Sequence, residues 1–227
     1  MIKKLFAVLM VSFLAFSCQS DSISESTEAL EEGSQLTEVL KAMSLNETDV
    51  DDFLDSTSCY KVRLPVQVIV YGQRIRILSE SGYSEVLNAL ENGSDYEGAD
   101  SLSFVFPVTL QDEHYSEVTV NNQKELTALR IQCTGSIQSY IGDDCAEIMY
   151  PITLYNYNSG FQMQGTSVVN NNQELYTVIK NLGLKEYYSV KYPVIIKISQ
   201  ESSIEVADNE ALLEAINNAL NACGQQG

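Results

Sequence analysis

The stretch Tyr188-Ser189-Val190-Lys191-Tyr192-Pro193-Val194-Ile195-Ile196-Lys197-Ile198-Ser199 decides the fold. Tyr188, Val190, Tyr192, Val194, Ile196 and Ile198 fall on one parity, and Ser189, Lys191, Pro193, Lys197 and Ser199 on the other. Period-2 alternation of this kind marks a strand with one buried face. The proline lies on the exposed parity. The chain has three other prolines, each in a similar phrase: Leu64-Pro65-Val66, Phe106-Pro107-Val108 and Tyr150-Pro151-Ile152. Their spacings are 42, 44 and 42 residues, an internal period typical of repeat architectures. Around Pro107 the alternation recurs, with Leu102, Phe104, Phe106, Val108 and Leu110 opposing Ser103, Pro107, Thr109 and Gln111.

Outward from each proline the pattern predicts a turn, a second short strand and a helix. Asn122 with Glu125, and Asn171 with Glu174, carry the spacing of a capping box at a helix N-terminus. Asp208 opens the last helix, whose Leu212, Leu213, Ile216, Ala219 and Leu220 form one apolar face. The first repeat has Gly82 at the cap position, followed by Val86, Leu87 and Leu90. A hairpin and one helix cannot enclose a core alone, so repeats must pack together. The expected fold is therefore α+β: four ββα repeats forming two ββαββα two-layer units, antiparallel-rich sheets with helices on one face. Because proline donates no ladder hydrogen bond, both proline strands of a unit are expected at sheet edges, in the order 1-2-4-3. A single continuous sheet through all four repeats is the alternative.

The cysteines group the repeats. Cys59 and Cys145 each lie six residues before a repeat proline, while Cys133 and Cys223 follow the second and fourth helices. Of three possible connectivities the period favours Cys59–Cys133 and Cys145–Cys223; Cys133–Cys145 with Cys59–Cys223 competes. Units at 59–133 and 145–223 follow, joined by a linker at 134–144 and ending in a short tail, 224–227.

The N-terminus supplies an address. Lys3 and Lys4 precede a twelve-residue run from Leu5 to Phe16, broken only by Ser12 and too short to span a bilayer. It ends in Leu14-Ala15-Phe16-Ser17-Cys18, which resembles the lipobox of bacterial lipoproteins. That resemblance covers only the N-terminus and implies cleavage of a signal peptide, residues 1–17, and acylation of the Cys18 thiol. Phe16 is bulkier than the residue usual there; an ordinary secretory signal beside a chance cysteine is the other reading. Export in turn makes disulfides the default state of the remaining cysteines. The repeat phrase over 59–223 resembles tandem repeats in exported bacterial lipoproteins, a resemblance that implies no catalytic residues.

The formal charge of −18 becomes −20 once Lys3 and Lys4 are removed, and it is unevenly spread. Residues 19–58 hold eleven acids against Lys41 alone. Residues 18–58 are therefore expected to be a lipid-anchored acidic tether carrying one or two short amphipathic helices. Acids outnumber bases 31 to 13, which excludes a phosphate-tracking nucleic-acid surface.

Chemistry is sparse. His114, the only histidine, falls in the turn Gln111-Asp112-Glu113-His114-Tyr115 and is expected to be solvated. With four cysteines paired and one histidine, no zinc site or cysteine nucleophile can be assembled. Phosphate-loop, dinucleotide and serine-elbow motifs are absent. Asp49, Asp51, Asp52 and Asp55 cluster without the glycine and glutamate of a calcium loop, and Asp143-Asp144 offers two further oxygens. Both read as acidic turns, so no cofactor, metal or catalytic residue is expected. A carboxylate-dependent hydrolase is a remote alternative.

The repeats differ most in their hairpin loops. The third is longest, and its Tyr155, Asn156, Tyr157, Asn158 and Phe161 are the candidate ligand contacts, through adaptable aromatic and amide chemistry. Cross-strand packing is the competing role for these aromatics. The expected function is a non-enzymatic, lipid-anchored protein of the bacterial cell envelope, facing the periplasm or the cell surface. It is expected to bind a protein or glycan, and the alternative is an assembly subunit that stacks through its repeats.

Overall fold

The computed structural model describes residues 29–93, 101–133, 145–198 and 202–224. The leader, Cys18, Asp143-Asp144 and the 134–144 linker lie outside the described residues. The fold is mixed α+β. Among the described residues, the helices are α1 (Gln35–Met43), α2 (Asp52–Asp55), α3 (Tyr83–Asn92), α4 (Gln123–Gln132), α5 (Asn172–Lys180) and α6 (Asn209–Gly224). Strands β1 (Lys61–Val62), β2 (Val66–Val70), β3 (Gln73–Ile77), β4 (Leu102–Phe104), β5 (Val108–Gln111) and β6 (Glu117–Val120) precede the linker. After it come β7 (Glu147–Ile148), β8 (Ile152–Tyr157), β9 (Met163–Val169), β10 (Tyr187–Val190), β11 (Val194–Lys197) and β12 (Ser203–Val206).

Four three-stranded antiparallel sheets result, in the orders β3-β2-β4, β1-β5-β6, β10-β8-β9 and β12-β11-β7. This corrects both the 1-2-4-3 order and the placement of proline strands at edges. The strands that follow the prolines, β2, β5, β8 and β11, are all central. Proline sits one residue before each, where its missing N–H interrupts no ladder. It does cut the strand in two, and the halves pair in different sheets. Thus β1, before Pro65, pairs with β5, while β4, before Pro107, pairs with β2. The same exchange joins β7 to β11 and β10 to β8. All four X-Pro bonds are cis, and all four prolines are exposed.

Two hydrophobic cores form. Residues of β1–β6, α3 and α4 enclose Val62, Val68, Ile77, Val86, Leu110 and Leu126; those of β7–β12, α5 and α6 enclose Leu154, Leu175, Tyr188, Ile196, Leu212 and Ile216. Caps stand where the sequence signals them. Asn122 Oδ1 accepts the Glu125 N–H at 3.1 Å, Asn171 Oδ1 that of Glu174 at 2.9 Å, and Asp208 Oδ1 that of Ala211 at 2.8 Å. In the first two, the glutamate reaches one residue past the cap, to the N–H of Asn121 at 2.7 Å and of Asn170 at 2.8 Å. Those backbone bonds hold both carboxyls below their ordinary range.

From residue 29 onward the expected tether is instead part of the fold. Leu30 bridges to Tyr188, and Leu36, Leu40 and Met43 of α1 are buried in the second core. Leu54 of α2 is buried in the first. Fully burying a leucine or methionine is worth about 1.5–3 kcal/mol, which favours docking this segment over leaving it in solvent. Ser34 caps α1, and Thr37 Oγ1 lies 3.1 Å from the Tyr188 hydroxyl. The N-terminal segment therefore ties both cores together.

Disulfides link Cys59 to Cys133 and Cys145 to Cys223, each with Cα atoms 5.8 Å apart. This is the pairing that the repeat period favours. Such bonds suggest an oxidising, extracytoplasmic environment. No helix among the described residues is long and apolar enough to cross a membrane.

Candidate functional site: a groove between the two cores

The second hairpin turn is shaped by Asp112, whose Oδ1 accepts the N–H groups of His114 at 2.9 Å and Ser116 at 2.7 Å. It points at the other half of the molecule. Tyr176 of α5 meets the Tyr115 ring at 5.7 Å and the His114 ring at 5.8 Å, centroid to centroid. The Lys180 ammonium stands 5.4 Å from the Tyr176 ring centre. The only histidine is exposed, as its turn position leads one to expect, and one side of its ring rests near Tyr176 of the other half. Tyr115 also donates to the Ser44 carbonyl at 2.9 Å. Asn46 completes the junction, its N–H donating to the Glu113 carbonyl at 2.9 Å and its side-chain amide to that of Asp112 at 3.1 Å.

Beside this junction runs an open groove of about 540 Å³. Lys61, Arg63, Leu64, Glu80, Gln111 and Tyr115 line it from the first half, Asn46 from the N-terminal segment. Glu147, Tyr150 and the first turn of α5, Asn171-Asn172-Gln173, line it from the second. The Tyr150 hydroxyl donates to Asn172 Oδ1 at 2.8 Å, which fixes the ring at the rim. Both cations that line the groove are ion-paired, Lys61 with Glu80 at 2.6 Å and Arg63 with Glu117 at 2.5 Å, and Glu147 of its lining pairs with Lys197 at 2.9 Å. Its lining is therefore locally neutralised and rich in amides and tyrosine.

The third hairpin does not join this groove. Tyr157 is buried, with its hydroxyl 3.3 Å from Ser189 Oγ. Asn156 donates to Ser167 Oγ at 2.8 Å, and Asn158 closes the turn by accepting the N–H groups of Gly160 and Gln162. Tyr155 is half-buried opposite Ser189 and Thr166. Only Phe161 presents a ring outward, stacked on Tyr187 at 4.4 Å. Four of the five sequence candidates are thus engaged in the hairpin's own pairing and hydrogen bonds.

Among the described residues, no three His, Cys, Asp or Glu side chains are grouped so as to hold a metal. The aspartates near the start of the first half do something else. Asp51 and Asp55 are 0 % exposed, and burial pushes their carboxyls up to about 7 and about 8 respectively. The groove and this buried pair were both missed by sequence motifs. The pair had a signal: Asp51, Leu54 and Asp55 fall on one face at helical spacing.

Comparison of the chain with protein-family models, curated proteins and solved structures finds no match in any of the three.

Proposed function

We propose that this chain is an exported, lipid-anchored, non-catalytic binding module, attached through acylated Cys18 and taking a neutral glycan into the groove between its two cores. On this reading the fold is four ββα repeats fused as two units, over 59–133 and 145–223. The observation that carries it is the groove lining: paired ions, converging amides and two fixed tyrosines suit a ligand rich in hydroxyls and without net charge. An extended polar segment of a protein offers similar hydrogen bonds and is the competing occupant. The acids of the groove support a non-catalytic role, since Glu80 and Glu147 are salt-bridged. Asp51 and Asp55 have no surface for a substrate to reach. A glycan array probed with soluble chain beginning at residue 19 tests the proposal. Binding that is lost in Asn172→Trp, which fills the groove, is expected; a blank array, or binding indifferent to that change, overturns it.

A second reading, assembly through an edge, is favoured by one strand. β9 (Met163–Val169) is the longest edge strand and carries no charge, whereas β3, β6 and β12 carry arginine or glutamate. Val168 within β9 is 60 % exposed, and nearby Phe161 is 53 % exposed. Such an edge is a template for strand addition. Sedimentation across a concentration series distinguishes the readings: a dimer dispersed by Thr166→Lys would support assembly, and a strict monomer would end it.

A further inference from the structure

The turn of helix α2 puts two acids, Asp51 and Asp55, into the base of the first core, with half-buried Asp52 beside them. Asp51 Oδ2 accepts the Val62 N–H at 2.6 Å, and Asp55 Oδ1 accepts the Thr57 N–H at 3.1 Å. Their other oxygens, Asp51 Oδ1 and Asp55 Oδ2, are buried without a hydrogen-bond partner. So is Asp52 Oδ1, although Asp52 Oδ2 accepts from the Ser58 hydroxyl at 2.5 Å. The Tyr83 hydroxyl of α3 is a fourth unpartnered buried group on this side of the core.

The cations facing the cluster, Lys61 and Arg130, favour its ionised form, but by less than burial disfavours it. Lys61 of β1 is paired with Glu80 of the 3-10 turn before α3. Arg130 of α4 directs its Nε to the main-chain carbonyl of Asp55, not to the carboxyl. Glu80 adds a negative charge near Tyr83. A buried carboxylate without a partner is strongly disfavoured, and two of them four residues apart are worse. The neutral acid removes the charge and turns one orphan oxygen into a donor.

We propose that Asp51 and Asp55 form a proton-operated latch, which docks residues 46–58 on the first core while both carboxyls hold protons and loosens that segment when they are lost. Leu54 is the plug that the latch seats, and the Cys59–Cys133 disulfide bounds the released stretch at its C-terminal end. Asn46 begins the segment and lines the groove, so loosening removes part of one groove wall; that consequence alone rests on the function proposed above.

The sign follows from linkage. The folded state binds protons that the unfolded chain releases at ordinary carboxylate pH. Docking is strongest below about pH 4. It weakens as pH rises and reaches its floor once the pH passes about 7 and about 8, where the folded carboxyls titrate.

The test is hydrogen exchange of the full chain at pH 5 and pH 9, with rates corrected for intrinsic pH dependence. Protection of residues 46–58 is expected to fall at least about tenfold at pH 9, one pKa unit corresponding to a factor of ten. In the double variant Asp51→Asn, Asp55→Asn, whose amides imitate the neutral acids, protection is expected to be equal at both pH values. Equal protection in the native chain, or a fall that persists in the variant, overturns the latch. Should the variant not fold, a carbon-13 titration of the native carboxyls decides: midpoints near 4 for both aspartates overturn it. A blank glycan array would sink the groove reading and leave these measurements untouched.

Discussion

Tyr188 shows how a single residue can join segments far apart in the sequence. Its backbone pairs with both β8 and Leu30, its ring is buried, and its hydroxyl meets Thr37 of α1. Tyr188→Phe keeps the ring and removes the bond, and is expected to cost about 0.5–1.5 kcal/mol in urea unfolding. Leu54→Ala leaves a cavity in the first core and is expected to cost about 2–5 kcal/mol. Equal and small losses from both substitutions would show that neither end of the N-terminal segment is docked. Parity and cap spacing made Tyr188, Asn122, Asn171 and Asp208 legible from the sequence. Asp51 and Asp55 were legible only in that they share a helical face with Leu54; carboxylates in an acidic stretch look solvated until something is known to cover them.

At the scale of elements, proline was the residue easiest to see and easiest to misplace. Its lack of an N–H predicts an edge, yet the same property permits the position just before a central strand. Which outcome holds depends on where the severed half of the strand goes, and that is a long-range choice absent from local pattern. The helix starts are more local and give a separate prediction. Glu125 and Glu174 bind fewer protons folded than unfolded, so the stability that they add is present above the ordinary carboxylate range and lost as pH falls through it. Amides in the first turns of α4 and α5 are therefore expected to exchange faster on acidification below about pH 4. The 46–58 segment should show the opposite trend. Parallel trends at both places would contradict the assignment.

For the whole molecule, the disulfides and the N-terminal segment brace two cores in different ways. Each bridge closes a long loop within one half, at sequence separations of 74 and 78, and is worth about 4 kcal/mol in the chain-entropy account. Between the halves the described ties include α1, Asn46, and the Tyr115–Tyr176 contact. Reduction is accordingly expected to lower the unfolding midpoint of each half, whereas Asn46→Ala with Tyr176→Ala should leave both halves folded and weaken their registry. Calorimetry that splits from one transition into two in that variant would confirm the division of labour; an unchanged single transition would contradict it. Repeat period and cysteine spacing made the grouping into halves readable. The groove was not readable, because it is built from residues of the N-terminal segment, β1, the second hairpin and α5 that meet only in the folded chain. Under the proposed function this groove, and not the third hairpin, takes the ligand. Differential hydrogen exchange with the strongest binder from a glycan array tests it most directly. The account predicts added protection at Asn46, Tyr150 and residues 171–173, with none at 155–161; protection confined to the third hairpin, or no binder at all, would contradict it.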